Sequence, residues 1–349
     1  MKDGRPLVIK TAIIGTGAWG KNLFRNFLTM NESELLTCCD LDGDRCSGLL
    51  AGIPEVASTT DPEDIFTDPN IDAVVIATPA PTHFELAKRA MEAGKDVFVE
   101  KPMTLALEDA EELVRISDKL ERVLMVGHLL EYHPGVLKMK ELLDSGELGD
   151  PYYLYSERVN LGKIRKDENA LWSFAPHDIS IILYLLDEEP IEVAARGAAY
   201  IQPGIEDVVF LWMRFSNDRL AQIHVSWLDP HKVRRTTLVG SKKMVVFDDM
   251  QAGEKIRIYD KGVNGNGNGN GRNGKFVGFD EALSLRFGEV TIPALPTAEP
   301  LRLECQHFIQ CVENRTKPRS DARDGLRVVR VLDAAQRSLE AGGNAIKLS

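Results

Sequence analysis

The feature that most narrows the folds open to this chain is an apolar strand that runs into a glycine turn and then a helix. Leu7 to Ile14 is apolar, Gly15-Thr16-Gly17-Ala18-Trp19-Gly20 comes next, and Leu23, Phe24, Phe27 and Leu28 then recur at helical spacing. A Gly-x-Gly-x-x-Gly string is weak evidence by itself; the strand before it and the helix after it give it meaning. The first glycine permits a tight turn, the second lets a pyrophosphate approach the backbone, and the third allows the helix to pack closely. The helix start then offers unpaired N–H groups and a positive dipole end to phosphate. Gly15, Gly17, Ala18, Trp19 and Gly20 are therefore candidate dinucleotide contacts, with a plain packing role for the Trp19 indole left open.

The next segments repeat the pattern. The strand Glu34 to Cys39 ends in Asp40, about 20 residues beyond the glycines, where an acid can accept the ribose hydroxyls. Arg45 is near but no arginine comes directly after Asp40, which favours NAD over NADP; the other reading of Asp40 is a helix N-cap. Ile71 to Ala77 is almost wholly apolar, as a strand covered on both faces should be. It leads into Thr78, Pro79 and His83, which topology puts near the cofactor. Val97-Phe98-Val99 then runs into Glu100-Lys101-Pro102, where proline restricts the backbone of the lysine before it and lets the ammonium be aimed. Strand and helix alternate through Val126 with short connections, which predicts an α/β fold with a parallel, doubly wound sheet over residues 1–128.

After His128 the pattern changes. Alternating segments at 151–161, 191–199, 208–215, 220–227, 234–239 and 244–247 predict a second α/β domain, 129–349, built on a large, mostly antiparallel open sheet. One helix interrupts them, and Pro176-His177-Asp178 before an apolar run suggests that His177 stands at or just before its N-terminus. The Asn-Gly repeat from Asn264 to Gly274 reads as a mobile hairpin tip. Two helices, 301–314 and 322–341, and a short strand close the chain.

Composition enters by exclusion. A net charge of −11 argues against nucleic acid or an anionic membrane as partner, and no apolar run reaches the ~18–20 residues of a membrane span. The polar first residues are unlike a signal peptide, so the expected location is cytoplasmic. Five cysteines without ligand spacing predict free thiols and no metal.

The order of the glycine turn, the Glu100-Lys101-Pro102 strand end and the later His177 resembles the glucose-fructose oxidoreductase, inositol dehydrogenase and MocA family over essentially the whole chain. Two stretches, Gly17 to Phe27 and Leu161 through Trp172 to Ser180, are similar to a narrower group, the nucleotide-sugar 3-dehydrogenases acting on UDP-N-acetylglucosamine or its uronate. The resemblance implies a Rossmann domain with NAD as cofactor and a sheet domain that makes a homo-oligomer, dimer or tetramer. The family's lysine and its substrate-side histidine carry over to Lys101 and His177, while the aspartate found in many relatives four residues before the histidine is Ser173 here.

That chemistry suits the residues. An imidazole can take the proton of a C3 hydroxyl while an ammonium stabilises the developing alkoxide, although the reverse assignment, with Lys101 as base, is open. Glu100 joins Lys101 on the cofactor side. Arg158, Asn160, Arg165, Asn169 and Trp172 are candidates for the substrate's diphosphate and N-acetyl group. The product would feed an aminotransferase making a 3-amino sugar for lipid A or another surface glycan. The rival expectations are an NAD-dependent glycosidase of the same family and a non-enzymatic dinucleotide sensor.

Overall fold

The structure is a computed structural model that describes residues 8–265 and 283–348, so the Asn-Gly run beyond Gly265 lies outside the described residues. The chain forms two compact units. The first comprises the described residues up to His133 together with Thr297–Asp333. The second comprises those of Pro134–Pro296 and of Ala334–Ser349.

In the first unit β1 (Ile9–Ile14), β2 (Ser33–Cys39), β3 (Ala57–Thr59), β4 (Ala73–Ile76), β5 (Asp96–Val99) and β6 (Leu124–Val126) form one parallel sheet in the order β3-β2-β1-β4-β5-β6. The order reverses between β1 and β4, which opens a crevice beyond the carboxyl ends of the strands. Helices α1 (Gly20–Leu28), α2 (Gly43–Leu49), α3 (Glu63–Thr67), α4 (His83–Glu92) and α5 (Leu107–Leu120) make the connections. All four residues of β4 are buried, as a central strand between two helical layers requires.

The second unit begins with α6 (Pro134–Asp144) and contains β7 (Pro151–Val159), α7 (Ala170–Leu186), β8 (Glu192–Ala198), β9 (Val208–Arg214), β10 (Leu220–Ser226), β11 (Val233–Gly240), β12 (Met244–Asp248), β13 (Ile256–Gly265), β14 (Leu283–Thr291) and β15 (Ile346–Lys347). These strands make a nine-stranded sheet in the order β14-β13-β12-β11-β7-β10-β9-β8-β15, in which the β7–β10 pair is parallel and the others are antiparallel. Strand β9 shows the resulting two-faced pattern. Val209, Leu211 and Met213 are buried, while Phe210 and Trp212 are 38% and 45% exposed on the other face. Helix α7 packs against β7, β9 and β10.

One expectation is corrected here. His177 does not stand at a helix start: α7 begins seven residues earlier, at Ala170, and carries Pro176 inside it. Asn169 caps it by accepting the N–H of Trp172 at 3.2 Å. An internal proline removes one backbone hydrogen bond, and the thirteen buried residues of this helix compensate for that local loss.

The last helices, α8 (Pro300–Asn314) and α9 (Ala322–Glu340), come after β14 in sequence, yet residues 297–333 pack with the first unit. The rings of Phe27, Phe98 and Phe308 explain how. They meet edge to face with centroids 5.7–6.4 Å apart, joining α1, β5 and α8 in one core. No helix among the described residues is long and apolar enough to cross a membrane.

Candidate functional site

The first unit's glycine turn has the geometry its sequence requires. Gly15 has φ +95°, and a Cβ there would stand 2.7 Å from the backbone of Ala77. A Cβ on Gly20 would lie 2.1 Å from the Gly15 carbonyl oxygen, so α1 can start this close only with glycine there. A Cβ on Gly17, by contrast, would meet nothing within 4 Å, which leaves room for a pyrophosphate on that side of its backbone. Ala18 and Trp19 are exposed on the same turn.

Asp40 comes after β2 and is held rather than free to wander. Its carboxylate accepts Thr16 N–H at 2.8 Å and Thr16 Oγ1–H at 2.9 Å, and on its other oxygen Asp42 N–H at 3.0 Å. Burial opposes its charge, but these donors and Arg45, 3.7 Å away, outweigh that and lower its pKa. The helix N-cap is Asp42, which accepts Asp44 N–H, so the capping alternative for Asp40 is set aside. Thr16 is the residue that sequence reasoning missed; a hydroxyl between the first two glycines was the signal. The open Gly17 backbone, the pre-set Asp40 and the bare start of α1 fit a dinucleotide.

On the far side of the crevice His83 is 1% exposed, with Nδ1 2.8 Å from the Pro102 carbonyl and Nε2 2.9 Å from that of Thr78. Both partners are carbonyl oxygens, and burial favours the neutral ring, so His83 donates its one N–H to either the Pro102 or the Thr78 carbonyl, between which it is packed. The Thr78 hydroxyl meets that of Thr82 at 2.7 Å, and Pro79 is exposed. The Lys101–Pro102 peptide is cis, and Lys101 is half-buried.

Glu100 lies beneath this turn, 9% exposed. It accepts the indole N–H of Trp19 and, at 3.2 Å, the backbone N–H of Lys101. Burial pushes its carboxyl up to about 7, offset in part by Trp19 and Lys101. Behind it His128 donates to Asp324 at 2.6 Å and lies 3.5 Å from Glu131. Burial works against the imidazolium, yet the two carboxylates raise His128 to about 10. The ligand-type atoms of His128, Glu131 and Asp324 fall within 4.8 Å of one another. Ligands on one first-row ion sit about 3 Å apart or more, so the 2.6 Å contact is that of a hydrogen bond between imidazole and carboxylate. Glu304, on α8, is fully buried with neither carboxyl oxygen hydrogen-bonded, and burial pushes it well above the usual carboxylate range.

In the second unit His177 is half-buried on α7. The residue after it, Asp178, is 1% exposed and takes the Arg158 fork at 2.6 and 3.2 Å plus the Ser156 hydroxyl at 2.5 Å. The guanidinium expected to meet a diphosphate therefore has two of its nitrogens on Asp178. Asn169 is engaged at both ends: its oxygen caps α7 and its amide donates to Glu206 at 2.7 Å and Gln336 at 3.1 Å. The Trp172 indole donates to Gln336 at 3.2 Å. Asn160 is half-buried, and Arg165 is exposed and paired with Glu168 at 2.9 Å.

Residues 9–128 match the family model described as an oxidoreductase family with an NAD-binding Rossmann fold, and residues 136–246 match the GFO/IDH/MocA C-terminal domain. The UDP-N-acetylglucosamine 3-dehydrogenase of Acidithiobacillus ferrooxidans is 28% identical over 255 residues, 73% of this chain and 78% of that protein. A scyllo-inositol 2-dehydrogenase (NAD(+)) of Bacillus subtilis is 26% identical over 326 residues, 89% of this chain and 88% of that one. A solved structure of the Acidithiobacillus enzyme shares the fold with a TM-score of 0.80 at 24% identity, over 96% of this chain and 98% of that chain.

Proposed function

The chain belongs to the GFO/IDH/MocA family of NAD-binding oxidoreductases, and from that premise we propose that it oxidises the C3 hydroxyl of UDP-N-acetylglucosamine to the 3-keto nucleotide sugar. The observation that carries the reading is the 28% identity, over 73% of the chain, to an enzyme of that activity. The stretches that resemble nucleotide-sugar 3-dehydrogenases, on the glycine turn and around α7, support it.

When bound, NAD supplies a nicotinamide ring that accepts hydride from C3. The chain's own residues supply the rest. His177 is the candidate base for the C3 hydroxyl proton, and the Lys101 ammonium is the candidate to stabilise developing negative charge. Gly17 and the start of α1 hold the pyrophosphate, and Asp40 accepts the ribose hydroxyls. Arg165, on the surface, is a candidate for the substrate's diphosphate. A cyclic polyol is the second reading, favoured by the inositol dehydrogenase match across 89% of the chain. The outward aromatic face of the second sheet, with Phe210 and Trp212, supports a homo-oligomer. A 3-keto product would be consumed by an aminotransferase.

The test is turnover of a panel of UDP-hexosamines, their uronates and inositols with NAD, with products read by mass spectrometry. The expected product keeps UDP and has lost two hydrogens. Lys101→Ala and His177→Asn should each lower kcat by about 10²-fold or more. Turnover of inositols alone, a released free sugar, or near-normal rates in both variants would overturn the assignment.

A further inference from the structure

Glu100 does more than end a strand. It is a buried carboxyl tied to the glycine turn through the Trp19 indole and to the catalytic segment through the Lys101 backbone N–H. Its room is made by Gly127, where a Cβ would press on the carboxyl atoms at 3.1 Å. The charged or titratable groups acting on it come from three directions. Lys101 adjoins it, His128 lies beyond β6, and Glu304 and Cys305 are presented by α8. The cations favour its charged form, whereas Glu304 and the loss of water favour its neutral form. The result is a carboxyl balanced near neutrality, raised to about 7. Oxidised nicotinamide carries a positive charge that reduction removes, and a buried carboxylate at the crevice feels that difference in a medium that screens poorly.

We infer that Glu100 is the group by which this protein distinguishes oxidised from reduced coenzyme: it stands as a carboxylate opposite NAD and takes up a proton from solvent when NADH occupies the crevice. Trp19 is the positioning residue, because its N–H favours the charged form and binds Glu100 to the turn that takes the pyrophosphate. The inference uses NAD binding alone and is independent of the sugar assignment.

The linkage has a defined sign. Above neutrality the carboxylate attracts the oxidised ring; below neutrality it is protonated and the preference disappears. The ratio Kd(NAD)/Kd(NADH) should therefore fall about tenfold as pH rises from 6 to 8.5, with NADH followed by its fluorescence and NAD by calorimetry. In Glu100→Gln the ratio should be flat and stay at the wild-type acid value. In Trp19→Phe the midpoint should move to higher pH. Calorimetry at pH 7 in two buffers of different ionisation enthalpy should show more proton uptake for NADH than for NAD. Equal uptake for the two coenzymes in the wild-type protein, or a wild-type slope retained in Glu100→Gln, overturns the inference. The wild-type proton count decides the matter even if the Gln variant does not fold.

Discussion

Buried acids are met in opposite ways at Asp178 of the second unit and at Glu100 and Glu304 of the first. In the second, Asp178 is fully matched: the Arg158 fork and the Ser156 hydroxyl meet both of its oxygens. In the first, Glu100 and Glu304 are buried with less than they need. Glu100 has two neutral donors, and neither oxygen of Glu304 has a hydrogen-bond partner. A matched pair is complete before any ligand arrives and serves the packing of α7 on the sheet. A carboxyl left under-neutralised at a crevice keeps its charge state open to whatever enters. The difference teaches where to look for function: at the acid whose partners are incomplete, rather than at the one with the most contacts.

The largest effect should come from breaking the complete pair. Arg158→Met takes the guanidinium fork from a buried Asp178, leaving the Ser156 hydroxyl and the more distant charge of Arg234, and should destabilise the fold by about 3–5 kcal/mol in denaturant melts. Adding Asp178→Leu should recover most of that loss, because it is the stranded charge that is costly. If Arg158→Met instead left stability unchanged and weakened substrate binding only, the matched pair would belong to the substrate site and the contrast would collapse.

Removing the incomplete acid should work the other way. The folded protein holds the Glu100 proton more tightly than the unfolded chain, with a pKa of about 7 against an ordinary value of 4.5. Between those values the native state binds more protons, so stability falls as pH rises through the window. Glu100→Gln escapes this and should be more stable than wild type by about 3 kcal/mol at pH 8.5, and nearly equal to it at pH 4.5. Thermal melts at the two pH values check the sign.

How much of this was legible in the sequence depends on whether a property is local. The parallel sheet was, since Ile13, Val75 and Phe98 lie in apolar strands punctuated by turns. So was the division of labour among Gly15, Gly17 and Gly20, because spacing along one turn fixes it. Pro176 misled the reading of α7: it looks like a boundary, yet a helix with a cap at Asn169 and a buried apolar face runs through it. The return of α8 to the first unit was hidden, since nothing local says that Phe308 meets Phe27 and Phe98. The state of Glu100 was hidden for the same reason. A Glu-Lys pair at a strand end looks solvated until Gly127, Trp19 and Glu304 arrive from distant parts of the chain.

The smallest effect on stability should be the most selective for binding. A methyl at Gly17 meets no atom within 4 Å, so Gly17→Ala should leave stability within about 0.5 kcal/mol of wild type. A methyl at Gly20 would stand 2.1 Å from a carbonyl oxygen, and overpacking there should cost about 1–3 kcal/mol. Our proposal puts the pyrophosphate in the space beside Gly17, and on that reading Gly17→Ala should weaken NAD binding by about tenfold or more while the thermal midpoint barely moves. Calorimetric titration beside a melt separates the two. Equal affinity for NAD in Gly17→Ala and wild type would mean that the open side of the turn is not where the phosphates lie. The first unit's unfilled space, like its unmatched carboxyl, would then have no ligand to complete it.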